Sequence, residues 1–234
     1  MAAETASTLI NKLAIELGKY VEFLLAPTCW RFYSTPPADS IEPPPYTWTC
    51  LFSFMNRVQE GKQAAFSAAA PGCVGAANYL GFNGVPAVAA ALYLAGRERL
   101  KKDAGLATAF YNGVRPVAAR EKYLVFSRLD QVQNGAAPEV INLWVSGDSL
   151  SALHTLANYD RAENDNVIMP FSSGCQSIWT LPYKEKGKEL PKAVAGSLDP
   201  TVRPFLPQGA ISFSTTAERL VEMCENIEGS FLSP

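Results

Sequence analysis

Histidine is almost missing from this chain: His154 stands alone among 234 residues. That removes every metal site that needs two histidines and leaves one imidazole for any Ser-His or Cys-His pair. Charge is scarce as well, at 18% of residues, and nearly balanced, with 20 Lys and Arg against 22 Asp and Glu. No clustered basic face is visible, so nucleic acid is not an expected partner. No apolar run reaches the length of about 20 residues that spans a bilayer, which excludes a membrane span. The opening residues, Met1 to Ala6, hold neither a basic segment nor an apolar leader core, and the expected location is cytoplasmic. Cys-x-x-Cys is absent too, so no zinc ribbon or thioredoxin-like pair is written locally. The five cysteines, Cys29, Cys50, Cys73, Cys175 and Cys224, are odd in number and widely spaced, unlike a disulfide framework.

What the chain does have is apolar surface. A hydrophobic share of 48% excludes disorder. A chain of this length buries roughly 70% of its unfolded surface and needs no metal merely to fold. No linker divides it, so one domain is expected over residues 1–234.

Leu9, Ile10, Leu13, Ala14, Leu17, Val21 and Leu24 recur at helical spacing and predict a helix ended by Pro27. Thr28 to Tyr33 alternates as a strand, and Pro36 to Pro45 reads as an extended loop. Helical spacing returns from Tyr46 through Val58 and stops at Gly61. Ala64 to Ala70 suits a strand, with a helix following through Leu80. Residues Ala87 to Phe110 read as mainly helical, with the charged stretch Arg97 to Asp103 facing water. The second half carries strands at Tyr123–Leu129, Val140–Val145, Val167–Phe171, Ala193–Gly196 and Ala210–Ser214. Helices fall between them at Ser149–Tyr159, after Cys175, and at Ala217–Ile227. The interleaving implies a mixed α/β domain, a mixed sheet packed with helices. His154 falls on a short amphipathic helix and reads as structural.

One local pattern occurs twice: a strand, a small-residue turn, Gly-Cys, then a helix start. Gly72-Cys73 follows Ala64–Ser67, and Gly174-Cys175 follows Val167–Phe171. A cysteine at a helix N-terminus faces unpaired N–H groups that favour its thiolate, the form that ligates metal or attacks an electrophile. Gly72 and Gly174 would let the backbone come close to whatever the sulfur binds. Burial as small apolar side chains is the alternative reading. Gly72-x-x-Gly75, Gly81-x-x-Gly84 and Gly61-Lys62 do not complete a nucleotide fingerprint. Asp199 to Pro204 could offer Arg203 to a carboxylate or phosphate. Phe110, Tyr111 and Trp144 read as core.

Thr47-Trp48-Thr49-Cys50, Gly72-Cys73-Val74-Gly75-Ala76-Ala77-Asn78-Tyr79-Leu80-Gly81 and Ser172-Ser173-Gly174-Cys175 together resemble the uncharacterised prokaryotic ArCR family (domain of unknown function 169). Pro27 to Tyr33, Asp199 to Arg203 and Ala210 to Ser214 are similar to it too. The likeness covers about residues 10 to 230. Cys29 and Cys224 do not match family cysteines and read as core. The resemblance implies a soluble protein of anaerobic or archaeal-type prokaryotes and carries no assigned activity.

Three functions follow. The first is a metal or iron–sulfur site on Cys50, Cys73 and Cys175, with one coordination position open and Cys29 or an exogenous group as a fourth-ligand candidate. The second is cofactor-free thiol redox chemistry, in which one thiolate attacks and another resolves. The third is a non-catalytic binder of a small apolar or anionic ligand, anchored by Arg203. The expected partner is a small molecule or a redox protein, and an oligomer is compatible with all three.

Overall fold

A computed structural model describes residues 5–44, 48–82, 86–132 and 135–233. The expectations for Met1 to Glu4, Pro45, Tyr46, Thr47 and Gly84 therefore lie outside the described residues.

Helix α1, Ala6–Leu17, begins where Thr5 accepts a hydrogen bond from the Thr8 N–H, and it buries Ile10, Ala14 and Leu17. It ends at Gly18, well before Pro27. The predicted helix is too long because Phe23, Leu24 and Leu25 belong to the first strand, β1, Phe23–Tyr33. Pro27 sits inside that strand, where the ladder to the neighbouring strand is already irregular between Leu25 and Thr28. A residue without an N–H is tolerated there. The Gln59 side chain repairs the gap by bonding both the N–H and the C=O of Ala26, at 3.0 and 3.1 Å.

Six further strands complete one sheet: β2 Ala64–Ser67, β3 Tyr123–Arg128, β4 Val140–Val145, β5 Val167–Ile168, β6 Ala193–Gly196 and β7 Ile211–Thr215. Their order is β2-β3-β1-β4-β7-β6-β5, antiparallel except for the parallel β5–β6 pair. The strand expected over Val167–Phe171 shrinks to two residues, since Pro170 cannot donate to a ladder.

Alternation along the strands divides the core in two. Cys29, Ile141, Leu143 and Phe213 pack on one face with Leu153, Leu156, Leu220 and Met223. That face is covered by α1, α6 (Gly147–Leu156) and α8 (Ala217–Glu225). Trp30, Phe126 and Trp144 pack on the other with Phe52, Phe66, Ile178 and Trp179. Its cover is less regular. A 3₁₀ turn, Leu51–Phe54, runs into α2, Met55–Gln59, and α3 spans Val74–Tyr79. Helix α4, Ala87–Leu92, widens into a π-helical turn, Tyr93–Arg97, and α5 spans Ala104–Gly113. After Cys175 a π-helical turn, Gln176–Thr180, leads into α7, Leu181–Tyr183. The mainly helical stretch expected from Ala87 to Phe110 is thus a helical hairpin, interrupted at Glu98–Asp103. Asp103 caps the second arm, accepting from the Leu106 N–H at 2.8 Å. Among the described residues, no helix is long and apolar enough to cross a membrane.

Candidate functional site

Both strand–Gly-Cys–helix units form, and they converge on the irregular face. Thr49 N–H bonds Gly72 C=O at 3.0 Å, tying the segment before Cys50 to the turn before Cys73. Gly72 has φ +90°, and a Cβ there would lie 2.8 Å from the Thr49 carbonyl oxygen, so this join requires glycine. Gly174 serves a related purpose. A Cβ on it would meet Phe52 at 2.5 Å and Val202 at 2.7 Å. The glycine before each cysteine therefore admits another cysteine-bearing segment, or the loop after β6, rather than a bound ligand. Sheet contact fixes the third segment: a Cβ on Gly196 of β6 would fall 2.2 Å from the Ser177 Cβ, and Ser197 N–H bonds Ser177 Oγ at 3.1 Å. Asn142, buried in β4, donates to the Ile178 C=O at 2.9 Å, pairing a carbonyl within the π-helical turn.

These joins leave a cavity of about 290 Å³ bordered by Cys50, Cys73 and Cys175 together. Aromatic and aliphatic side chains form most of the rest, among them Trp48, Tyr79, Tyr93, Tyr111, Val202 and Phe205. Glu98 and Asp199 add two carboxyl groups, and no Lys, Arg or His is among the lining residues. Asp199 Oδ1 accepts from the Thr201 N–H at 2.9 Å and its hydroxyl at 2.8 Å, which fixes the carboxylate at the start of its loop.

Kinship is decided by a family model: that of the uncharacterised ArCR family (domain of unknown function 169) matches residues 16–226. The chain belongs to that family. No curated protein and no solved structure matches it.

In this ArCR chain burial overrides the helix-start effect expected of the cysteines. Cys73 does cap α3, and its sulfur accepts the Ala76 N–H at 3.4 Å. N–H groups of Ala76, Gly75 and Leu51 favour its thiolate, yet burial is the larger influence and pushes the thiol up. Cys50 is pushed up to about 11 by burial and then by Cys73. Cys175 is driven well above its ordinary range by burial, with Cys73, Cys50 and Asp199 adding to it. Burial, with Asp199 nearby, also raises Glu98 against the opposing pull of Tyr93 and Arg97. The cavity is therefore walled by neutral thiols rather than reactive thiolates.

Two side chains expected to hold a ligand fall elsewhere. Arg203 does not border the cavity; its guanidinium donates to the backbone carbonyls of Ser197, Ala210 and Pro207 and holds the loop after β6. Cys29 lies on the opposite face of the sheet beside Ser127, as strand alternation requires once Trp30 faces the cavity side, so it is no fourth ligand. Cys224 packs on that opposite face too, with its sulfur 3.7 Å from the Leu13 C=O. His154 is exposed on α6. Glu98, expected in water, is turned to the cavity by the break after α4. Tyr79 stands within the family-like run and Tyr111 among the residues expected in the core, and no spacing marks either as a site residue. Among the described residues, no three His, Cys, Asp or Glu side chains stand where they would hold one metal ion.

Proposed function

We propose that the cavity binds a soft, electropositive group, an iron–sulfur cluster or another thiolate-bound metal unit, with Cys50, Cys73 and Cys175 as ligands and one position open to a small molecule. The observation that carries this reading is the meeting of three cysteines from distant segments at one cavity whose lining has no cationic side chain. Thiols that resist ionisation by themselves ionise readily against a bound cation, because metal charge reverses the local acid–base balance. Glu98 and Asp199 favour the same sign of guest. Among the described residues no three donors stand ready to close on a single ion, which disfavours a mononuclear metal. Three thiolates leave a cluster with one iron unfilled, and an open position is what separates working metal sites from closed structural ones. Cofactor-free thiol chemistry fits less well, as it needs a thiolate near neutral pH and burial opposes one. An anionic ligand meets two carboxyl groups and no cation among the described lining residues.

Anaerobically reconstituted protein is expected to be coloured and to contain iron and acid-labile sulfide. Cys73→Ala and Cys175→Ala should each lose that content, while Cys224→Ala keeps it. Unchanged metal in the first two variants, or a wild-type chain that takes up neither cluster nor metal, would overturn the proposal.

A further inference from the structure

We infer that the cavity also takes a small, uncharged molecule that presents a hydrogen-bond acceptor to the Tyr79 hydroxyl. This rests on the cavity's being a ligand site, as proposed above, and not on which group the cysteines hold. Tyr79 ends α3, the helix that Cys73 opens, and it borders the cavity. Only 3% of the residue is exposed, and its hydroxyl has no hydrogen-bond partner among the described residues. Buried polar groups are rarely left so, because the unpaired group keeps its desolvation cost. The rest of the residue is firmly placed. Its ring packs against Tyr111 at 5.9 Å, and its backbone carbonyl accepts the Thr180 hydroxyl at 2.7 Å. The hydroxyl is within electrostatic reach of Cys175 and Tyr111, both cavity-lining residues.

The surroundings set the class of guest. Burial keeps the phenol protonated, so its O–H remains a donor, the stronger of its two hydrogen-bonding capacities, and a guest acceptor is what pairs it. Glu98 and Asp199 oppose a carboxylate or phosphate. The aromatic lining, Trp48, Tyr93, Tyr111 and Phe205, favours an apolar body. A cavity of about 290 Å³ stands at the lower end of small-molecule pockets, which suits a compact ketone, amide or similar molecule.

The test uses three probes of similar shape, acetophenone, ethylbenzene and benzoate, titrated by NMR into the protein as purified and again after anaerobic reconstitution. Acetophenone should bind about five- to tenfold more tightly than ethylbenzene, the value of one hydrogen bond, and benzoate should bind weakest. Tyr79→Phe should erase the advantage of acetophenone, leave ethylbenzene unchanged, and keep or raise the thermal midpoint, because it removes an unpaired hydroxyl. Equal affinity of wild-type protein for the two neutral probes overturns the inference, as do a preference for benzoate, no binding at all, or an advantage that survives Tyr79→Phe. Failure of the cluster proposal is read separately, from iron and sulfide content.

Discussion

Cys29 and Trp30 are neighbours in β1 that point to opposite faces of the sheet, and those faces are closed in different ways. On the Cys29 side, α1, α6 and α8 are capped by Thr5, Ser146 and Thr216, and they bury Leu, Ile and Met in regular stripes. Its two cysteines serve as packing. On the Trp30 side all helices but α5 are short, two turns are π-helical, and three cysteines border one cavity. Among the described residues, buried side-chain atoms of Trp30, Asn78, Tyr79, Asn142, Gln176 and Trp179 lack partners there, as do Thr215 and Arg219 on the other side, Gln63 before β2 and Gln131 after β3. Both faces belong to one sheet and one sequence, so the contrast does not come from composition. It separates a face closed by regular helices from one that keeps a cavity, and under the proposed reading that cavity is where local rules give way to a guest.

The contrast can be broken most forcefully by paired variants. Leu153, fully buried on the inner side of α6, should cost about 2–5 kcal/mol as Leu153→Ala, leaving metal uptake at its wild-type level while the protein stays folded. Gly174→Ala should show the reverse balance. Its Cβ would collide with Phe52 and Val202, costing about 1–3 kcal/mol, and the displaced Cys175 should reduce metal uptake several-fold. Thermal unfolding together with iron content reads both, and equal loss of uptake in the two variants would remove the distinction between the faces.

A smaller effect is the pH dependence of the metal-free protein. Raised thiols stay protonated in the fold while unfolded thiols ionise near about 8.5, so the unfolded state holds fewer protons above that pH. Stability should therefore fall from about pH 8.5 up to the folded value, about 11 for Cys50, at about 1.4 kcal/mol per pH unit for each thiol fully between its two values. Loading the site should flatten this fall, because bound thiolates have no proton left to lose. Urea unfolding across that range measures it, and a stability that rises with pH in the metal-free protein would contradict the burial assigned to the cysteines.

Much of the frame is legible in the sequence because strand alternation and helix caps are local. Val140–Val145 and Ala193–Gly196 form as expected, and both Gly-Cys units are real. The end of α1 is not legible, because Leu24 continues the helical spacing while its backbone already belongs to the sheet, a contact between distant residues that no local pattern encodes. Glu98 misleads for the opposite reason, since a charge run looks solvated until the interruption of the helix turns one member inward. Arg203 stands out in the sequence, but its partners turn out to be backbone carbonyls close along the chain. The likeness to the ArCR family joins Cys50, Cys73 and Cys175 before any geometry does. What no spacing could supply is the shared cavity, which depends on contacts such as that of Gly174 with Phe52, far apart along the chain.

The most direct test is to alkylate loaded and metal-free protein under anaerobic conditions and map each cysteine by mass spectrometry. Protection of Cys50, Cys73 and Cys175 as a group on loading, with Cys29 and Cys224 unchanged, is the expected result. Protection of only one of the three, or equal labelling of all of them with and without metal, would contradict a group held jointly by these sulfurs.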